Sequence, residues 1–432
     1  MKMKKTSKII ALVTVIVMLA GMAALTAAAA GDEAITVSLR IEGFDETLYY
    51  KQMESAEGTT LTELLAAVGK MEDAPEIAIK EASFGSYVSE VNGLAEFAHG
   101  GMSGWNYRVN DESPVVGIDE FVVKDGDEIV LFYGDPYGVG MQYPIADLSR
   151  VLSDGIIAFT SRDTTYDEDW NPILEENPVA DATVVLDGVT YLTDANGEIV
   201  VNSKTGIAGF HKLQIERFDD GDEGTGMPTV LRLAPDHVMY IQFADTPDEA
   251  WFDIAVMFCV GEGYFVGANP AENLFLPLDK MNMVQLFTVL ARIGGVDAAL
   301  TTGARWFEAP LEWAVENELL IMPEDEEAAW ETDDIIGEAF ALLSNMTVAR
   351  ENFIYLFYRT AALVGSYDMT LRADITGAAD YDDIYEDCVE AVSWAVAAGI
   401  IRGTSESGLA IEPGFEVNRA TVCQMLLNYY SN

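Results

Sequence analysis

The sequence predicts a multidomain chain in three blocks: a small α+β domain, an all-β sandwich and an all-α repeat array. Three observations predict it. Apolar residues alternate with polar ones over residues 35–41, the period of a half-buried strand. Asp-Gly and Asn-Gly pairs then punctuate short β-type runs as far as about residue 241. From about residue 243 the chain becomes alanine-rich and helical, and its landmark residues recur three times. A length of 432 residues suits two to four domains of about 150 residues each.

Composition narrows the function classes. Half of the chain is hydrophobic and 22% is charged, so there is material for packed cores. With 72 acidic residues against 24 basic, the formal net charge is −48. Such a surface repels phosphate backbones and anionic lipid, which excludes nucleic acid as a partner. Three cysteines, Cys259, Cys388 and Cys423, do not make a disulfide scaffold. Their apolar neighbours predict buried, inert thiols. Three histidines leave little for a zinc site, and no metal is expected.

Residues 1–30 read as a secretory signal. Lys2, Lys4, Lys5 and Lys8 form a basic start, residues 9–20 are apolar, and Ala28-Ala29-Ala30 offers a small-x-small cleavage site before Gly31. The alternative is an uncleaved anchor, because residues 9–30 are long enough to span a bilayer. The alanine-rich end favours cleavage, and no second segment is long and apolar enough to span.

The first block covers residues 34–137. Ile35, Val37, Leu39 and Ile41 mark the buried face of its opening strand. Thr60-x-x-Glu63 is a capping box, followed by Leu61, Leu64, Leu65 and Val68 on one helix face. Trp105, Tyr107 and Val109 alternate. Residues 121–123 and 129–133 flank Asp125-Gly126, a hairpin signal. Strand, helix and further strands suggest a β-grasp-like domain. The run Gly101-Met102-Ser103-Gly104-Trp105-Asn106-Tyr107-Arg108-Val109-Asn110, with the later Lys124-Asp125-Gly126-Asp127, resembles the transcobalamin C-terminal-like domain of bacterial surface proteins. In the vertebrate relatives this domain closes over a corrinoid. The resemblance therefore implies a small-ligand module, with a corrinoid as candidate ligand and Trp105, Tyr107 and Asn110 as candidate contacts. Trp105 and Tyr107 point to one side of their strand, and that side is either a stacking platform or the core.

The second block covers residues 144–241. Strand-like runs at 182–186, 189–193 and 199–201 are separated by Asp187-Gly188 and Asn196-Gly197. This pattern resembles the Ig-like or transthyretin-like sandwiches that act as spacers in exported proteins. Asp219-Asp220-Gly221-Asp222-Glu223-Gly224 is an acidic loop without the twelve-residue calcium pattern, and reads as solvated.

The third block repeats. Residues 243–295 carry Phe243-Ala244-Asp245, Trp251, Gly263, Gly267 and Phe275-Leu276-Pro277, then a helix after Met283. Residues 300–365 carry Trp306, Trp313-Ala314-Val315 and Ala349-Arg350-Glu351, with an acidic insertion near residues 324–334. Residues 378–432 carry Tyr381-Asp382-Asp383, Trp394-Ala395-Val396, Gly399-Ile400-Ile401-Arg402-Gly403, Pro413 and Asn418-Arg419-Ala420. Each unit is helix, glycine-bounded turn, helix, and must pack on its neighbours. These residues resemble S-layer homology modules, which commonly occur three in tandem and anchor proteins non-covalently to secondary polymers of the bacterial cell wall. The resemblance implies a pyruvylated wall polymer as partner. It implies Arg350 and Arg419 as carboxylate forks at helix N-termini, Gly267 and Gly403 as points of close approach, and Asp245 and Asp383 as motif aspartates. Trp251 and Trp306 are sugar platforms or core. Met283 stands where the third arginine belongs and cannot bind a carboxylate.

Catalytic signals are thin. His99-Gly100-Gly101 and Ser103-Gly104 do not form a Gly-x-Ser-x-Gly elbow, since Trp105 occupies the last position. The expected protein is thus an exported, wall-anchored, extracellular, non-enzymatic one, needing no cofactor and displaying a ligand module. A structural or adhesive surface-layer component and a wall polysaccharide hydrolase are the alternatives.

Overall fold

A computed structural model describes residues 34–431, apart from 84, 167–171, 220–225, 321–333, 366–367 and 403–408. The residues 1–30 read as a secretory signal, Gly403, most of the acidic loop at 219–224 and most of the acidic insertion lie outside the described residues. The chain is a multidomain mixture of β-sheets and helices. Its described residues divide into two compact units, 34–204 with 210–241, and 205–209 with 242–431. No helix among the described residues is long and apolar enough to cross a membrane.

The first unit opens with β1 (Ala34–Glu42), β2 (Thr47–Ala56), α1 (Leu61–Val68), β3 (Ile77–Ala82), β4 (Gly85–Val91), β5 (Leu94–Ala95), β6 (Gly104–Val109) and β7 (Glu128–Gly134). One sheet runs β2-β1-β7-β6, and a small one runs β3-β4-β5. Ile35, Val37, Leu39 and Ile41 alternate into the core as the pattern requires. Thr60 and Glu63 cap α1 reciprocally, and its Leu61, Leu64, Leu65 and Val68 enter the same core.

The hairpin expected at Asp125-Gly126 does not form. β7 pairs in parallel with β1 and antiparallel with β6, and Gly126 N–H donates to the Thr36 carbonyl (2.7 Å). The turn therefore feeds a central strand rather than closing a ribbon. The opposite face of β1 carries a buried ionic group. The Glu42 carboxylate accepts from Arg40 (2.7 Å) and from Arg232 (3.0 Å). This ties the first sheet to the second block.

That block adds β8 (Pro144–Asp147), α2 (Val151–Asp154), β9 (Ile156–Tyr166), β10 (Pro172–Pro178), β11 (Thr183–Leu186), β12 (Val189–Leu192), β13 (Glu198–Val200), β14 (Gly209–Glu216) and β15 (Val238–Ile241). Its sheets run β10-β9-β13, with β8 also on β9, and β12-β11-β14-β15. Asp187 and Gly188 both have positive φ, 47° and 80°. This is the two-residue hairpin geometry that the Asp-Gly pair predicts.

The second unit contains α3 (Asp253–Gly261), α4 (Met283–Ile293), α5 (Glu308–Glu316), α6 (Ile335–Leu343), α7 (Arg350–Val364), α8 (Val389–Ala397) and α9 (Arg419–Tyr430). Its packing is cyclic: α5 lies on α4, α8 on α7, and α3 on α9, so the first helix meets the last. A triangle of backbone bonds sits at the centre. Met281 N–H donates to Val417 (3.0 Å), Val417 to Val348 (2.9 Å), and Val348 to Met281 (3.2 Å). All three side chains are buried. Three β-type segments, one per repeat, thus satisfy one another around a closed ring, because none has a neighbour of its own repeat to pair with.

Candidate functional site

The three junctions of the ring are equivalent in backbone and different in chemistry. Met283, Arg350 and Arg419 each open a helix. Their N–H groups donate to the carbonyls of Met346 (2.9 Å), Phe415 (2.8 Å) and Asp279 (3.1 Å). The preceding first helices α3, α5 and α8 end at Gly263, Glu318 and Gly399, with φ of 73°, 57° and 70°. A left-handed residue turns the chain out of each helix at the same place.

Arg350 and Arg419 are each only 8% exposed, so neither is a surface fork. Arg419 Nε donates to the Phe275 carbonyl (2.8 Å) and Nη2 to that of Val266 (2.7 Å). Its guanidinium lies 4.3 Å from the Phe275 ring centroid and 5.0 Å from that of Phe265. Burial pulls its pKa down to about 10. Arg350 Nη1 donates to the Ile411 carbonyl (2.6 Å) and to Glu412 (3.3 Å), over the Phe415 ring at 4.7 Å. Burial lowers its pKa too. Each arginine therefore clamps its repeat to the next around the ring. Nη1 of Arg419, and Nε and Nη2 of Arg350, make no hydrogen bond among the described residues.

Asp245 also works internally. Its two oxygens accept the N–H groups of Phe275 and Leu276 (both 2.8 Å). The counterpart in the third repeat is Asp380, not Asp383. Asp380 accepts from Ile411 (2.9 Å) and Glu412 (2.6 Å), and Ala379 N–H donates to Leu409 as Ala244 does to Asn273. Asp383 lies exposed in a single turn. The motif thus lies three residues before Tyr381-Asp382-Asp383, with Ala378 in the place that Phe243 takes in the first repeat.

Burial raises the Asp380 pKa, but the N–H groups of Ile411 and Glu412 and the Arg350 charge outweigh it and leave it lowered. A depressed carboxyl stabilises the fold above its unfolded pKa, and that stabilisation disappears as pH falls through the folded value. Asp380→Asn should therefore cost about 1–2 kcal/mol at neutral pH, the scale of its hydrogen bonds. The cost should shrink below about pH 4. Asp383→Asn should be neutral. Urea melts of both variants at two pH values check this.

Gly267 is required by contact: a Cβ there would lie 2.8 Å from the Phe243 ring. Trp251 is 58% exposed, with only an edge contact to Phe252. Trp306 is half-buried against Phe307 and Phe340. Of the two tryptophans, Trp251 is the one offering an open face.

In the first unit, Trp105 is 8% exposed within the core. Its Nε1 donates to the Leu94 carbonyl (2.9 Å), and its ring meets Tyr133 edge-on at 5.4 Å. The stacking-platform alternative fails for this residue, because the strand face carrying it points inward. Tyr107 is half-buried, and its hydroxyl donates to the Val116 carbonyl (2.7 Å). Burial, then the Asp119 charge, pushes its pKa up to about 12. Asn110 latches β6 to β7. Its Nδ2 donates to Asp127 (2.8 Å) and its Oδ1 accepts from Glu128 N–H (2.9 Å). Beside Tyr107, the loop residue Val115 is fully exposed and Val116 is 38% exposed. No sequence motif marked them, since isolated valines in a loop carry no period.

Ser103 is buried and accepts from Tyr133 (3.2 Å), while His99 stacks on Phe44 at 4.1 Å. All three cysteines are buried. Among the described residues, no cluster of three or more His, Cys, Asp or Glu side chains is arranged to hold a metal ion.

Residues 58–135 match the model of a domain of unknown function, DUF4430. Two solved structures are similar in part. Haptocorrin in complex with Cbi is 20% identical over 24% of this chain, with a TM-score of 0.21. The chain covers 25% of haptocorrin. A Ruminococcus gnavus protein described as metal binding is 15% identical over 23% of this chain and 95% of its own, with a TM-score of 0.19. Scores this low bear on neither ligand. No curated protein matches.

Proposed function

We propose that this is an exported, non-enzymatic surface protein held on an acidic cell-wall polymer by residues 243–432, with residues 34–137 as a small-ligand module. The observation that carries the anchoring is the pair of half-used guanidinium groups. Arg350 and Arg419 open equivalent helices; Arg419 is fixed on two carbonyls and Arg350 on one carbonyl and the Glu412 carboxylate, and each has N–H donors left over. A rigidly held, incompletely bonded guanidinium at a helix N-terminus suits a sugar carboxylate such as a pyruvate ketal. The fixed edge removes the entropy of ordering the side chain. The resemblance to S-layer homology modules points to the same polymer.

The chain should sediment with wall sacculi that retain their secondary polymer, and stay in solution once acid has stripped it. Equal sedimentation with stripped walls would sink the reading. The ligand module rests on Val115 and Val116, the exposed apolar pair that Tyr107 holds in place. A ligand with a flat face, such as a corrinoid ring, suits that surface better than it suits the buried Trp105 or Asn110, whose amide is already spent on Asp127 and Glu128.

A further inference from the structure

At the junction that carries Met283 in place of an arginine, the described residues line a hollow of about 580 Å³. Met283, Phe287, Leu319, Leu343 and Leu356 form its apolar floor. Its rim is Asn352, Tyr355, Tyr385, Glu386 and Asp387. None of these five side chains makes a hydrogen bond or ion pair among the described residues, although Tyr385 is 72% exposed and its own N–H is held by Glu351 (3.0 Å). Among the described residues, no lysine or arginine lines the cavity. Arg359, one turn further along α7, sits 5.9 Å from the Tyr355 ring centroid and outside the lining.

Two exposed carboxylates, Glu386 and Asp387, therefore stand at the rim of the junction that carries no guanidinium, with the buried Glu351 behind Tyr385 and outside the lining. The Cys388 thiol at the cavity wall registers that field. Its pKa is pushed up to about 11, by burial first and then by Glu351 and Asp387. A hollow of this size is within the range that holds small ligands. An apolar floor rejects a solvated sugar, and the acidic rim rejects an anion.

We propose that this junction binds an organic cation with an apolar body, of the alkyl- or arylammonium class. The hydrocarbon covers Met283 and Leu343, and the ammonium lies among Glu386, Asp387 and the Tyr355 and Tyr385 rings, where cation–π attraction adds to charge. This goes beyond wall anchoring and does not depend on it.

Octylammonium, octanol and octanoate titrated calorimetrically into the full chain test the site. High salt in the buffer screens the diffuse negative field of the chain. Saturable binding of octylammonium is expected, at least about tenfold tighter than octanoate. Exchanging the exposed rim acids, Glu386→Gln with Asp387→Asn, should weaken it about tenfold without touching the packed floor. Met283→Trp should fill the hollow and abolish uptake, while sedimentation with sacculi is retained. Octanoate binding as tightly, indifference to the rim variant, or no saturable octylammonium binding would each overturn the site. A wild-type chain that takes up octylammonium but ignores sacculi would refute the anchoring alone.

Discussion

Trp105→Ala is expected to lose about 3–5 kcal/mol of stability, the range for deleting a buried tryptophan. The ring fills a space among β4, β6 and β7, and its removal leaves the Leu94 carbonyl without its donor. Tyr133 would lose its edge contact and, with it, part of what holds its hydroxyl on Ala95 and Ser103. For a domain of roughly 100 residues this corresponds to a melting temperature lower by ten degrees or more. Corrinoid uptake would fail in this variant through unfolding, so it cannot locate a ligand. Val115→Asp with Val116→Asp separates the two effects. Both side chains already face solvent, so the melt should be unchanged while any corrinoid absorbance shift disappears. An unchanged melt for Trp105→Ala would contradict the core assignment. Corrinoid binding that survives the double aspartate would remove Val115 and Val116 from the site, and no absorbance shift with the unaltered chain would favour a purely structural module.

What was legible in the sequence follows from local chemistry. The face of β1 was readable because a strand has a period of two and one side must be dry. The cap of α1 was readable because Thr60 and Glu63 satisfy each other within four residues. The equivalence of positions 283, 350 and 419 was readable because each begins a helix after a β-type segment. The partners of Arg350 and Arg419 were not. Apart from Glu412 beside Arg350, they are main-chain carbonyls of another repeat, which every residue possesses and no residue type announces. The displacement from Asp383 to Asp380 has a similar origin. What conserves the contact is a carboxylate reaching two N–H groups, and the aromatic landmark two residues earlier can be lost without cost to it. Alternation placed Trp105 and Tyr107 on one face but could not say that the face pointed inward, because both sides of that strand carry partly apolar residues. In the second repeat a further helix, α6, stands between α5 and α7. An insertion there leaves the ring closed because the central triangle uses only Met281, Val348 and Val417.

Arg419→Met should separate scaffold from ligand contact, because the ring already tolerates methionine at the equivalent Met283. The guanidinium carries a desolvation cost, evident in its pKa of about 10. Replacing a buried charge with an apolar group of similar length recovers that cost. Against this stand two carbonyls, Phe275 and Val266, that lose their donors, and the lost attraction of the Phe265 and Phe275 rings. The net loss of stability should be about 1–2 kcal/mol. Arg419→Ala, which also leaves a cavity, should lose about 2–4 kcal/mol. Wall binding should respond differently. If the remaining Nη1 donor grips a polymer carboxylate, both variants should lose about 1.5–3 kcal/mol of affinity, the scale of one charge-assisted hydrogen bond. That is roughly tenfold or more in sacculus binding. The methionine variant is the decisive one, since it stays folded. Folded Arg419→Met that sediments like the wild type would make Arg419 a clamp between repeats and nothing more, and would leave the anchoring to Arg350 or to the exposed face of Trp251.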